Sequence, residues 1–166
     1  MTSGDPLFRL AQEADAELIL EFMREYYAFD GHHFDEQNSP AALMGLLRDD
    51  SLGCVWLILD GDAAVGYVAL TLGYSLELLG RDAYIDEFYL RETHRGRGWG
   101  GQAIAFVEDA AGSLGVNSVH LEVTRRNTAA HGIYRKLGFE DRPHHLMTKW
   151  IARGRSKPIG EVPTSN

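Results

Sequence analysis

Apolar residues at Ile19, Phe22, Met23 and Tyr26 recur at i, i+3, i+4 and i+7, the stripe of an amphipathic helix with one face turned to a core. The pattern predicts a helix that closes near Gly31. Phe8-Arg9-Leu10 precedes it as a short strand, and Tyr26 to Glu36, aromatic and acidic without a period, reads as a loop. Ser39-Pro40 reads as a Ser N-cap with Pro at the first helical position, opening a helix through Leu46 and Leu47. Cys54 to Leu59 and Ala64 to Leu72 are rich in Val, Ile, Leu, Trp and Tyr and flank Asp60-Gly61-Asp62, which predicts a β-hairpin. A third strand is expected over Ala83 to Leu90, after a turn containing Gly80.

A glycine-rich stretch follows. Ile104, Val107, Ala111 and Leu114 then mark a helix ending near Gly115, and Val119 to Val123 alternates as a strand. Asn127 is placed to cap another helix, with Ala130, Ile133 and Leu137 on its apolar face and Gly138 at its stop. His145 to Ile151 is expected to be a last strand. The order β-α-α-β-β-β, glycine loop, α-β-α-β describes a mixed α/β (α+β) domain over residues 7–151, with an N-terminal extension over 1–6 and a flexible tail over 152–166.

A chain of 166 residues suits one domain with a real core. The formal charge of -8 speaks against a broad nucleic-acid face, whose affinity comes from phosphate neutralisation by Lys and Arg. Recognition through Arg91, Arg95 and Arg97 alone would carry a steep salt dependence. An acidic surface accommodates a cationic substrate. The single cysteine, Cys54, lies in an apolar run and is expected to be a buried thiol, consistent with a reducing compartment. No run approaches the roughly 20 apolar residues of a membrane span, and Met1 to Pro6 lacks a signal-peptide pattern. A cytoplasmic protein without a membrane partner is the expectation, and nothing calls for a metal.

Thr93 to Ala103 reads T-H-R-G-R-G-W-G-G-Q-A. Gly96, Gly98 and Gly101 satisfy G-x-G-x-x-G, and Glu122 lies 21 residues beyond the last of them, as in a dinucleotide fingerprint. Against that reading, Arg91 to Arg95 separate the strand from the first glycine, and too little chain remains for a doubly wound fold. No Gly-Lys-Ser/Thr follows, so a Walker loop is excluded. Glycines alternating with Arg95, Arg97 and Trp99 just before a helix aim backbone N–H groups and the positive end of a dipole at one spot. A pyrophosphate suits that spot, with the arginines available to its oxygens.

Two motifs resemble those of the GCN5-related N-acetyltransferases (GNAT). Arg95-Gly96-Arg97-Gly98-Trp99-Gly100 is similar to the family's Arg/Gln-x-x-Gly-x-Gly/Ala, and Asn127 to Phe139, with Ala130, Tyr134 and Gly138-Phe139, to its second hallmark. The resemblance covers about residues 7–151. It implies a twisted mixed sheet whose fourth and fifth strands splay apart around acetyl-coenzyme A, the acetyl donor. It also implies diphosphate contacts from Arg95, Gly96, Arg97, Gly98, Trp99, Gly100 and Gly101. Phe88, Tyr89 and Leu90 would pair with the pantetheine arm, and Asn127 and Tyr134 would also touch the donor. A two-subunit assembly is frequent in the family.

Acetyl transfer needs a neutral amine, yet an alkyl amine of pKa near 10.4 is neutral in only on the order of one molecule in a thousand at pH 7. A base must therefore take its proton. Asp86 stands nine residues before the motif arginine, where polyamine-acetylating relatives carry Glu, and Glu87 is its rival. In a regular strand the two point to opposite faces unless a bulge intervenes. His120 and Glu122 are weaker candidates. Tyr134 matches the family's general acid, a phenol facing a departing thiolate.

The resemblance puts the acceptor pocket at Tyr26 to Glu36. Tyr26, Tyr27, Phe29 and Phe34 would line it, while Asp30, Asp35 and Glu36 attract a cation. Tyr74, Glu77 and the rest of Ser75 to Asp82 would close the other side. The acceptors implied first are small primary amines: diamines, polyamines and amino acids with a side-chain amine. Peptide N-termini or protein lysines come next, and a non-catalytic acyl-coenzyme A sensor stands as the other class.

Overall fold

The computed structural model describes residues 4–151. Its elements run β1 (Leu7–Leu10), α1 (Ala16–Asp30), α2 (Ser39–Arg48), β2 (Gly53–Asp60), β3 (Ala63–Ser75), β4 (Gly80–Leu90), α3 (Trp99–Ser113), β5 (Ser118–His120) and α4 (Thr128–Lys136). The five strands lie in the order β1-β2-β3-β4-β5. The first three pairings are antiparallel and β4–β5 is parallel, so the sheet is mixed. That topology offers no doubly wound nucleotide fold.

Helices cover both faces. On one, Ile19, Leu20, Phe22 and Met23 of α1 and Leu43 of α2 pack against Val55, Leu57, Tyr67, Ala69 and Tyr89. On the other, Ile104, Val107 and Ala111 of α3 pack against Trp56, Val68, Leu70, Ala83 and Ile85. This explains the unbroken apolar run in β2, where Leu57 and Ile58 face opposite layers and both are fully buried. Removing a fully buried aromatic such as Phe22 would cost about 3–5 kcal/mol.

Several local expectations need correction. The Tyr26 to Glu36 segment is helical as far as Asp30, and Gly31 ends α1 in the left-handed conformation at φ 73°. Ser39 is inside α2 and Asn38 takes the cap position. Asp35 Oδ1 instead accepts from the backbone N–H of Gln37 and Asn38, so an Asx turn prepares the helix start. Cys54 is half-buried, and burial raises its thiol pKa.

The strand expected over Val119 to Val123 is only Ser118–His120, and His145 to Ile151 forms no strand. The alternation in the latter segment has no ladder to join, because β5 presents too short an edge to pair a seven-residue segment. Leu146, Met147 and Ile151 remain exposed. The proposed tail over 152–166 lies outside the described residues. Among the described residues, no helix is long and apolar enough to cross a membrane.

Candidate active site

The parallel β4–β5 ladder pairs Asp82 with Ser118, Ala83 with Val119 and Tyr84 with His120, and goes no further. Beyond Tyr84 the β5-side edge of β4 has no strand partner among the described residues. Hydrogen-bonding groups of β4 are thus open toward α4, which is the expected splay.

A bulge falls in that stretch. Ala69 pairs with Glu87 and Leu70 with Ile85, leaving Asp86 as an extra residue. Ile85 still points into the α3 layer, while Glu87 now reaches the α1 layer. The extra residue puts Asp86 and Glu87 on one face, where strict alternation would have separated them. The bulge therefore decides the question left open by the sequence pattern.

The two carboxylates have unlike surroundings. Glu87 is partly buried and accepts two phenols: Tyr27 donates to Oε1 at 2.8 Å and Tyr67 to Oε2 at 2.6 Å. Desolvation pushes the Glu87 carboxyl above its ordinary range, the two hydrogen bonds pull it back, and the neighbouring Asp86 charge pushes it up again. Asp86 is reached by solvent, yet enough protein surrounds it that desolvation alone raises its carboxyl pKa. Tyr26 is pushed up to about 12, chiefly by burial, and feels Asp30, Glu87, Tyr134 and Asp86. Tyr27 is raised by burial and by the Glu87 charge. Residues from α1, β4 and α4 thus converge electrostatically on one place.

Tyr134 is half-buried on α4, and burial keeps its phenol protonated at neutral pH. With Phe88, Gly100, Ile104, Ala130, Ile133 and Leu137 it encloses an apolar cavity of about 140 Å³ between α3 and α4. The Asn127 side chain accepts from the Ala130 N–H and caps α4, which aims Tyr134. Phe88 faces that cavity, Tyr89 turns to α1 and donates its hydroxyl to Glu25 at 3.1 Å, and Leu90 is buried.

Between β4 and α3 a single 3-10 turn, Glu92–His94, leads into the glycine loop. Gly96 and Gly98 have φ of 72° and 81°, a region that penalises any side chain. Gly98 is the N-cap of α3 and supplies no side-chain acceptor, so the first N–H groups of the helix, from Trp99, Gly100 and Gly101, point outward without an intrahelical partner. An anion fits these donors. The indole of Trp99 is buried and packs 5.3 Å from His94, so only its backbone can meet a ligand. Arg95 donates through Nε to the Leu90 carbonyl at 2.7 Å and stacks on Phe29 and Tyr89, which leaves Arg97 as the cation freer to reach a phosphate.

The expected acceptor wall divides. Tyr26 and Tyr27 stand at the site. Phe34 is a core residue packed edge-on to Tyr27, with Arg24 over its other side. Phe29 is exposed beneath Arg95. Asp30 pairs with His32 at 3.0 Å, Glu36 with Arg24 at 2.8 Å, and Asp35 accepts from Gln37 and Asn38, so each of the three acids already has a partner. Tyr74 is exposed on β3 opposite Arg81, about 13 Å along the strand from the bulge. Glu77 binds Arg142 at 3.1 Å and lines a 990 Å³ recess beside β5 that also reaches Tyr134. His120 sits 3.6 Å from Asp82 against the Tyr84 ring, and Glu122 lines the same recess. Arg91 is committed to Glu21 and Glu25, at 2.6 and 2.7 Å. Among the described residues no group of three or more His, Cys, Asp or Glu could hold a metal ion.

The residue the sequence reading missed is Tyr67. It is 1% exposed, and a phenol that deep must find an acceptor. A Tyr in the middle of a buried apolar strand was the available signal.

A family model described as Acetyltransferase (GNAT) family matches residues 16–139. Thialysine N-epsilon-acetyltransferase of Bos taurus is 29% identical over 148 residues, 81% of this chain and 84% of that protein. The uncharacterized N-acetyltransferase YycN of Bacillus subtilis (strain 168) is 36% identical over 61 residues, a match spanning 37% of this chain and only 39% of that relative. Among solved structures, the integron cassette protein HFX_CASS3, from the mobile metagenome of Cole Harbour Salt Marsh, is 32% identical with a TM-score of 0.78, over 87% of this chain and 90% of the other.

Proposed function

The chain belongs to the acetyltransferase (GNAT) family, and we propose that it moves the acetyl group of acetyl-coenzyme A to a primary amine on a small molecule. When bound, the donor supplies a thioester carbonyl open to attack by a nitrogen. The amides opening α3, with Arg97, hold its diphosphate. The unpaired edge of β4 at Phe88 to Leu90 takes its pantetheine arm. A β4 N–H directed at the carbonyl oxygen would be a preorganised donor where negative charge develops.

The acceptor ammonium gives its proton to Asp86, directly or through a water, and the neutral amine then attacks the thioester carbonyl. The raised pKa of Asp86 makes it a better proton acceptor than an ordinary surface aspartate. Tyr134 keeps an O–H for the departing sulfur. Tyr26 and Tyr27 offer aromatic surface to the alkyl part and charge of the acceptor. The observation that carries this reading is the bulge at Asp86, which brings an unpartnered carboxylate onto the face where α1 meets the open edge of β4.

The bovine relative is named for acetylation of the epsilon nitrogen of thialysine. This supports an amino-acid-like acceptor with a side-chain amine, alongside diamines and polyamines. The test is thiol release from acetyl-coenzyme A with lysine-like amino acids, diamines, polyamines and peptides, run beside calorimetry of coenzyme A binding. Turnover with the small amines is expected. Tight binding with no turnover of any amine would instead favour a non-catalytic acyl-coenzyme A sensor.

A further inference from the structure

Asp86 and Glu87 share a face, but only Glu87 is fastened. Each of its carboxylate oxygens accepts a phenol, from α1 on one side and β3 on the other. To take a proton from an ammonium it would have to disturb one of these bonds and leave a polar atom unsatisfied in the interior. Asp86 carries no such tether: no hydrogen bond enters the shift that burial gives its carboxyl, and its charge is felt by Glu87 as a like neighbour.

The tethers also have a direction. Tyr67 pairs in register with Tyr89, and Ala69 with Glu87, so the Tyr67 bond spans the strand just C-terminal to the bulge. Tyr67 is itself wedged against Phe22, with ring centres 6.2 Å apart. Tyr27 is braced edge-on by Phe34 and Tyr26. Both phenols are therefore fixed points from which Glu87 hangs. A bulged residue has freedom that a paired one lacks, and an anchor on its neighbour removes it.

We propose that Glu87 is a positioning residue: the Tyr27–Glu87–Tyr67 clamp holds the bulge in place and directs the Asp86 carboxylate at the acceptor amine. This rests on the acetyltransferase reading above. The clamp acts electrically as well, because Glu87 is a like charge beside Asp86 and makes ionising both harder than ionising either. The other titratable groups in reach are Tyr26, Tyr27 and Asp30 of α1, Tyr67 of β3 and Tyr134 of α4. The phenols stay neutral at physiological pH and Asp30 is paired with His32. Glu87 is thus the main negative neighbour of Asp86.

The experiment compares Glu87→Gln, Tyr27→Phe, the Tyr27→Phe/Tyr67→Phe pair and Asp86→Asn in the whole protein. Two readouts are needed: carboxyl carbon-13 NMR titration without any ligand, and the pH profile of kcat/KM with the best amine of the panel. Glutamine keeps an acceptor for one phenol and a donor toward the other while losing the charge. Glu87→Gln is expected to retain a tenth or more of wild-type kcat, and to lower the Asp86 titration and the acid limb of the profile by about 0.5–1 pH unit. The double phenylalanine variant is expected to lose about tenfold in kcat with the amine KM little changed. Tyr27→Phe alone, which preserves packing, guards against a misfolded double variant.

If Glu87→Gln is as inactive as Asp86→Asn while Asp86→Asn keeps its acid limb, Glu87 is the base and the inference falls. An Asp86 titration unmoved by Glu87→Gln overturns it too. Should the wild type turn over no amine, the enzymatic reading fails by itself, and the ligand-free titration still decides whether the clamp governs Asp86.

Discussion

The guanidinium of Arg95 lies 4.2 Å from the centre of the Phe29 ring, so the glycine loop rests on the last turn of α1. Its Nε bond to the Leu90 carbonyl fixes the other end. The glycine loop and the end of α1 therefore share one contact. A cation over an exposed ring contributes about 0.5–1 kcal/mol. Phe29→Ala is expected to weaken coenzyme A binding about two- to fivefold by calorimetry, with the fold intact because Phe29 is 68% exposed. Unchanged affinity would mean that the stack does not organise the loop.

Asp86→Asn is expected to lower kcat/KM for the amine by about 10²- to 10³-fold while coenzyme A binding stays within twofold of wild type. The wild-type profile should fall on its acid side at a pH above the ordinary aspartate value of about 3.9, because desolvation raises this carboxyl. An asparagine variant with near-normal turnover would remove Asp86 from proton transfer.

The same raised pKa has an opposite effect on stability. The folded chain holds the Asp86 proton more tightly than the unfolded chain does, so ionisation disfavours folding as pH rises from the unfolded to the folded pKa. Asp86→Asn is therefore expected to melt at a higher temperature than wild type at pH 7, and the gain should vanish as pH drops below about 4. A lower melting temperature at neutral pH would show that the charge is better accommodated than its burial implies. On the proposed reading, stability would be traded for a usable base.

Gly98 and Gly112 make a matched pair, since an added Cβ meets nothing within 4 Å at either. They differ in backbone: Gly98 sits at φ 81° and Gly112 within α3. Gly98→Ala is expected to cost about 1–2 kcal/mol and to weaken coenzyme A binding, whereas Gly112→Ala should stabilise by about 0.5–1 kcal/mol. Denaturant melts of both variants check this. Equal effects would mean that open space, and not conformation, governs these positions.

What could be read from the chain was whatever is encoded by period and punctuation. The stripe from Ile19 to Tyr26, the Asp60-Gly61-Asp62 turn and the Asn127 cap all depend on neighbours a few residues away, and each stands where expected. The bulge at Asp86 depends on register with β3, which no local pattern specifies. The sharing of one carboxylate by Tyr27 and Tyr67 joins residues 60 and 20 positions from it. Phe34 and Phe29 have the same chemistry in sequence, yet one is core and the other surface, because the end of α1 turns them different ways. His145 to Ile151 has a strand's alternation, but a strand also needs an edge to pair with.

Three rungs of ladder attach β5 to the rest of the sheet. Asp86 is on one side of that seam and Tyr134 on the other, so a loosely stitched joint separates the two side chains proposed to move protons. A ligand arm lying along the open edge of β4 would act as extra stitching, and amide protons of β5 and α4 would exchange more slowly once it is in place. A donor bound in that way would complete the sheet at its open edge.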